Sequence, residues 1–267
     1  VEQNQSLNWQ YVCRTDPGKV RELNEDSCLC EPELGLWVVA DGMGGHSCGE
    51  VASHQAIESI KQECAAGKSV SEAIQQAHFD ILKAAESGEG ADGMGTTAVA
   101  LKHNGSGFSM NWVGDSRGYL WQPKKKRLTQ LTQDHSLVER LLSAGLISQE
   151  ESKSHPQRHL ITQCLGSKEL KQVKVDTTRY QWEPEQVILL CSDGLTEELT
   201  EQDMITIFSA QSDLDITADR LLRMALNKGG QDNISIILLR SPIELPKGLK
   251  GLWYRLSLMA RKLKIIK

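Results

Sequence analysis

Short apolar segments rich in Val, Ile, Leu and Trp recur along this chain. They fall at 27–30 (SCLC), 36–40 (LWVVA), 96–102 (TTAVALK), 108–114 (FSMNWVG), 118–122 (GYLWQ), 187–191 (VILLC) and 234–240 (ISIILLR). Their lengths and β-branched content predict strands. Several are apolar at consecutive positions, which predicts strands buried on both faces. A different period appears between them. Ala52, Ala56, Ile60 and Cys64 lie four apart, and Val70, Ala73, Ile74, Ala77, Ile81 and Ala85 make a helical stripe. Ser69 and Glu72 have the spacing of a capping box at the start of that stripe. Leu137, Val138, Leu141 and Leu142 form a shorter stripe ended by Gly145. Ile216, Leu221, Leu222, Ala225 and Leu226 form another, with Gly229 and Gly230 as its stop. Strands and helices come in blocks rather than in strict alternation, so the class expected is α+β.

Composition supports a packed core. Of 267 residues, 39% are hydrophobic and 24% charged, which is the range of an ordinary globular chain. The longest apolar run is far too short to span a membrane. VEQNQSLNWQ has no basic n-region, so a cytoplasmic location is expected. The net charge of −5 argues against nucleic acid as a partner. Charge is unevenly spread: residues 247–267 hold seven Lys or Arg and no acid, leaving 23 basic and 35 acidic residues in 1–246. The seven cysteines show neither C-x-x-C nor a Cys/His zinc spacing, which predicts buried or incidental thiols in a reducing compartment.

Acidic residues mark the joints of this pattern. Glu25 and Asp26 lie in RELNED, Asp41 in VVADGMGG, Asp115 in WVGDSR, Asp193 in LLCSDG and Asp232 in GGQDN. The expectation is that each sits where a strand meets a loop: Asp41 and Asp193 at strand ends, Asp232 before a strand, Asp115 in a tight loop between two. A D-G step alone is a common turn signal. Gathered by the fold, however, these carboxylates would need cations, because like charges a few Å apart cannot all stay ionised. Oxygen ligands select hard ions, so Mg²⁺ or Mn²⁺ is implied. Two such ions would bridge a water and present it as hydroxide to phosphorus.

The motifs R-x-x-N-E-D, V-A-D-G-M-G-G, G-T-T, G-D-S-R, S-D-G and D-N, in this order across residues of about 10–240, resemble the metal-dependent protein phosphatases of type 2C, the PPM family, and its bacterial Ser/Thr phosphatases in particular. The resemblance implies a four-layer α-β-β-α sandwich with two antiparallel central sheets. It implies hydrolysis of phosphoserine and phosphothreonine in proteins by direct attack of a metal-bridging hydroxide. Carried over by position, Asp41 bridges two metals, Asp193 and Asp232 complete the first, and the Gly42 carbonyl completes the second. Glu25 and Asp26 hold metal-bound water, Asp115 with Asp193 makes a third, looser metal position, and Arg21 binds phosphate through its guanidinium fork. Many eukaryotic members carry a His two residues after the bridging Asp. Here Met43 stands there, and a thioether donates no proton. His46 is expected to face solvent, with leaving-group protonation independent of it.

The resemblance also divides the chain. Residues 1–241 make the phosphatase domain, with a flap at about 129–167, and 242–267 a basic tail. His135, His155 and His159 in the flap share no ligand spacing and are expected at the surface or in caps. In the tail, Leu249, Leu252, Trp253, Leu256, Met259, Ala260, Leu263 and Ile266 share a helical stripe, with Lys and Arg over most of the rest. Such a helix suits an anionic membrane surface, a protein partner or the domain's own acidic face. The opposing partner expected is a bacterial Ser/Thr kinase, with a kinase controlling a secretion system as the specific case. The alternative is a catalytically silent, phosphatase-like regulator that only binds phosphoproteins. The complete carboxylate set stands against it, and Met43 for it.

Overall fold

The computed structural model describes residues 9–44 and 48–244. In chain order its elements are β1 (Tyr11–Asp16), β2 (Asp26–Glu31), β3 (Leu36–Met43), α1 (Cys48–Ala65), α2 (Val70–Ser87), β4 (Gly95–Thr96), β5 (Ala98–Asn104), β6 (Gly107–Val113) and β7 (Arg117–Gln122). There follow β8 (Arg127–Gln130), α3 (Leu137–Ser143), α4 (Gln149–Ser154), β9 (Asp176–Gln181), β10 (Val187–Cys191), α5 (Asp193–Glu198), α6 (Glu201–Ala210), α7 (Leu214–Lys228) and β11 (Ile234–Arg240). One sheet has the order β1-β11-β10-β7-β8. The other has β2-β3-β5-β6-β9, with the short β4 also on β3. Every pairing is antiparallel.

The doubly apolar strands dictate the layering. Successive side chains of a strand point to opposite faces. In β3, Leu36, Val38 and Ala40 join a core with α1 and α2, while Trp37 and Val39 face the other sheet. In β10 and β11, Leu189, Ile236 and Leu238 pack with α6 and α7, while Ile188, Leu190, Ile237 and Leu239 face inward. Three cores therefore separate four layers, helix, sheet, sheet and helix, as the resemblance implied. The middle core is aromatic: Trp37, Trp112, Trp182 and Phe108 are buried in it, and Trp9 packs on Trp37 with ring centroids 4.7 Å apart. Truncating a buried indole such as Trp37 costs about 3–5 kcal/mol.

Helix ends follow the sequence signals. Ser69 and Glu72 form the reciprocal capping box of α2, and Gly88 ends it in a left-handed conformation. The unexpected elements have their own causes. β1 and β8 are the outer strands of one sheet and β9 is an outer strand of the other, so each lacks a full apolar face; β9 has no buried residue. α6 carries Met204, Ile207 and Phe208 on one face behind a Thr200–Asp203 capping box, a signal that was present in the chain. On α7, Ile216 is exposed, and Thr217 and Ala218 take the buried place expected for it.

The flap expected at 129–167 leaves the sheet after β8. It carries α3 and α4, which bury no residue. Antiparallel bridges at Ser136–Ile161 and Thr96–Leu165 pin it to the body. His46 lies outside the described residues. So do the stripe and basic face expected for 247–267.

Candidate active site

Topology brings the marked acids to one end of the sandwich. β2 and β3 pair with Asp26 directly opposite Asp41, close enough for their side chains to interact. β10 and β11 are antiparallel neighbours, so Asp193, just after β10, lies near Asp232, just before β11. Asp115 sits in the link from β6 to β7, where the chain crosses from one sheet to the other. Two expectations need correcting. β3 does not stop at Asp41 but runs to Met43, pairing Gly42 with Thr96 and Met43 with Gly95. Asp193 is not in a loop but is the first residue of α5.

The electrostatics match the crowding. Burial pushes the Asp41 carboxyl well above the usual carboxylate range, and Asp26, Asp193, Asp115 and Asp232 push it further. Asp193 is raised by burial and then by Asp115, Glu197 and Asp232. Asp26 and Asp115 are each raised to about 6, chiefly by burial. Arg21 partly offsets this charge: its Nη2 donates to Asp232 Oδ2 at 2.7 Å while the side chain stays half exposed.

Other contacts fix the acids in place. The Asp41 N–H donates to Thr97 Oγ1 at 3.0 Å, and its carbonyl accepts from Thr97 N–H and Thr96 Oγ1, both at 2.9 Å. Ser192 Oγ donates to Asp26 Oδ2 at 2.7 Å, across the two sheets, and accepts the Ser235 N–H at 2.9 Å. Ser192 is the N-cap of α5 but makes no side-chain cap bond; its hydroxyl serves Asp26 instead. Asn233 accepts the Glu25 N–H at 2.8 Å and donates to the Pro17 and Leu23 carbonyls, tying the β1–β2 loop to β11. Glu25 Oε1 accepts the Gly49 N–H at 3.1 Å at the start of α1, where the helix dipole favours an anion. Gly42 is required by close approach, since a Cβ there would run into the carbonyl oxygens of Gly49 and Glu25.

A second tier was not legible as chemistry. Arg117 forks onto Asp134, with its closest N···O at 2.6 Å, beside Asp115. Glu197 adds negative charge to both Asp115 and Asp193, and flap residue His159 reaches it at 2.6 Å. His135, expected at the surface, is buried: its Nδ1 accepts the Gly114 N–H at 3.2 Å and its Nε2 faces Asp176 Oδ2 at 3.2 Å. His155 is partly exposed and ends α4, as expected of a cap residue. Burial pushes the Cys191 thiol up to about 12, so the thiol beside Asp193 is no nucleophile.

Whether these residues suit divalent cations is testable on the structure itself. Among the described residues, no three Asp, Glu, His or Cys side chains already surround one point as a ligand set. Two observations nevertheless fit cations. Asp26 Oδ1 is buried without a protein partner, and burial, then mutual repulsion, raises the proton affinities of the cluster. Carboxylates in that state must take up protons or positive ions, and an all-oxygen set favours hard ions.

Residues 19–228 match the family model described as Protein phosphatase 2C. The chain is similar to the serine/threonine phosphatase stp of Listeria innocua, at 38% identity over 238 residues, covering 84% of this chain and 93% of that protein. The crystal structure of the catalytic domain of the serine/threonine protein phosphatase PstP in complex with two manganese ions superposes with a TM-score of 0.75 at 31% identity, covering 87% of this chain and 97% of that one. PppA, described as a key regulatory component of T6SS in Pseudomonas aeruginosa, superposes with a TM-score of 0.75 at 30% identity, with the same coverages.

Proposed function

This chain belongs to the protein phosphatase 2C family, and from that premise we propose that its buried acids hydrolyse phosphoserine and phosphothreonine in protein substrates. It is a protein serine/threonine phosphatase that uses divalent metal. The observation that carries the site reading is the convergence of Asp26, Asp41, Asp115, Asp193 and Asp232 from two sheets onto one mutually repelling cluster. Asp41, the Gly42 carbonyl, Asp193 and Asp232 would hold two core ions, Mg²⁺ or Mn²⁺, and Asp115 with Asp193 a third. Bound there, divalent ions supply Lewis acidity, lowering the pKa of water and neutralising phosphate charge.

The protein's own groups do the rest. Asp26 and Glu25 accept hydrogen bonds from water and orient it, Asp26 held by Ser192 and Glu25 by Gly49. Arg21 is half exposed and anchored at one nitrogen, so its guanidinium is able to turn to two phosphate oxygens. Met43 contributes no proton, so the leaving alkoxide takes its proton from water or from a residue other than Met43. The catalytically silent reading has little support, because the acids and their fastenings are complete.

Turnover of para-nitrophenyl phosphate and of a phosphothreonine peptide, with Mn²⁺ or Mg²⁺, tests this reading. Activity abolished by chelator and by Asp193→Ala is expected; metal-independent turnover, or none under any metal, overturns it. His46→Ala is expected to retain activity within about tenfold, since a lost general acid costs a hundredfold or more.

The likeness to PppA supports a setting in which this chain reverses a Ser/Thr kinase controlling a secretion system. Proteins that gain phosphothreonine when Asp41→Asn replaces the wild type would identify the substrates. Among the described residues no helix is long and apolar enough to cross a membrane. The domain is read as 1–241, and the basic tail at 247–267 as the contact to an anionic membrane or a partner. Removing it is expected to preserve small-substrate turnover and to weaken sedimentation with anionic vesicles.

A further inference from the structure

Three thiols gather at one side of the sandwich, where outer strands of the two stacked sheets face each other. Cys13 is on β1, an outer strand of one sheet, and Cys28 and Cys30 are on β2, an outer strand of the other. Residues two apart on a strand share a face, so both β2 thiols point between the sheets, on the side that also carries Asp26. All three pack against the aromatic middle core and keep partial solvent exposure. β1 and β2 are in contact, and the inward faces that carry Cys13, Cys28 and Cys30 meet at the same core. None of the metal-site or phosphate-binding roles uses them. The structure contains no disulfide among the described residues.

We propose that Cys13 is a modification site for hydroperoxides, closing to a disulfide with Cys28 or Cys30 and so linking the two sheets on that side of the sandwich. The chemistry needs two thiols and one peroxide. The Cys13 sulfur attacks a peroxide oxygen, the O–O bond breaks, and sulfenic acid forms as the alcohol or water leaves with the proton. The Cys28 or Cys30 sulfur then attacks Cys13, the S–O bond breaks, and a second water leaves. Two electrons pass from the sulfur pair to the peroxide. Nucleophile and resolving thiols sit on contacting outer strands and face the same core, so no strand has to be unpaired first.

The surroundings support Cys13 as the attacking sulfur. Hydrogen bonds from Cys28, then from Cys30, and the charge of Arg14 favour its thiolate, while both β2 thiols are held protonated by that same anion and by burial. The thiolate is the reactive form. Cys64 and Cys191 are buried and shifted the other way.

The test is mass mapping of the full chain, reduced, treated briefly with a small excess of hydrogen peroxide and alkylated under non-reducing conditions. A Cys13 peptide joined to the peptide bearing Cys28 and Cys30, minus two hydrogens and reversed by dithiothreitol, is expected. Cys13→Ser is expected to slow the loss of the Cys28 and Cys30 thiols by about tenfold or more, as removal of the thiolate implies. Cys30→Ser is expected to leave a Cys13–Cys28 bond. The proposal is overturned if Cys13 stays alkylatable while Cys48 or Cys164 is consumed. It is equally overturned if Cys13 passes to sulfinic acid without a cross-link in the wild-type chain, a result that needs no variant to fold.

Discussion

In the β2–β3 sheet the acids lie inside strands, with Asp26 opposite Asp41 in the ladder. In the β10–β11 sheet they lie just off the strands, Asp193 opening α5 and Asp232 preceding β11. The first pair has no cation beside it among the described residues: Asp41 is held through its main chain by Thr96 and Thr97, and Asp26 has one bare oxygen. The second pair has Arg21 on Asp232. The difference teaches that the two sheets contribute unequally. One supplies rigid, under-neutralised charge; the other supplies charge that a side chain already balances in part. The bound ions would therefore matter most to the β2–β3 half.

That inequality can be broken directly. Asp41→Asn removes a carboxylate that four other acids repel, and the loss in phosphatase turnover is expected to reach about a thousandfold or more, since metal stabilisation of transition-state charge amounts to several kcal/mol. The same variant without metal is expected to melt at a higher temperature than the wild type, because a buried repulsion is gone. An unchanged or lower melting point would contradict the inequality.

The next effect is one of pH. Asp26 is raised from 3.8 to about 6, mainly by burial. Its folded form binds the proton more tightly than the unfolded chain does. Metal-free stability is therefore greatest below pH 4 as far as this group is concerned, and falls as pH rises through about 6, by about 3 kcal/mol in all. Asp115 acts in the same direction. Thermal melts between pH 4.5 and 7.5 with chelator should show the decline, and Mn²⁺ should flatten it.

Two smaller effects separate the halves. Ser192→Ala frees Asp26 from its cross-sheet donor, and a 10- to 100-fold fall in activity or metal affinity is expected, on the scale of outer contacts to metal sites, about 10–100-fold. Arg21→Ala is expected to raise KM for a phosphopeptide by about tenfold, the value of one charge-assisted bond of about 1.5 kcal/mol, with a smaller change in kcat. If Arg21→Ala outweighed Ser192→Ala, the β10–β11 half would be the more demanding one.

The central strands were legible in the chain because burial on both faces writes consecutive apolar residues. β1, β8 and β9 were not, because an outer strand such as DTTRYQ at 176–181 needs no apolar face. The acids were legible because each is flanked by glycine, asparagine or serine at a strand boundary. Their exact secondary structure was not: Asp41 continues a strand because Gly42 has Thr96 to pair with, and Asp193 opens a helix although Ser192 before it spends its hydroxyl on Asp26 rather than on a cap. The roles of Ser192, Asn233 and Thr97, which lie inside the quoted motifs, and of Asp134 were not legible, since their work is done through partners distant in sequence. Ser192 and Asp26 are 166 residues apart. His135 was misread because a histidine in a polar segment gives no sign that a backbone N–H from the Gly114 turn will find it.

The aromatic middle core has a consequence for the ions as well as for folding. Trp37, Trp112, Trp182 and Phe108 fill the gap between the sheets, and each sheet carries its own acids rigidly to the same rim. The indoles thus act as a shim that gauges the opening between the two acid pairs. Core packing resists small changes in thickness but does not absorb them. Thinning the shim with Trp112→Leu, which also drops the indole bond to the Gln133 carbonyl, should let the sheets settle by a fraction of an ångström. Mg²⁺ demands tighter, more regular geometry than larger ions accept. The chain's preference between Mg²⁺ and Mn²⁺ would then drift while the fold still stood, making metal selectivity a property of residues that touch no metal.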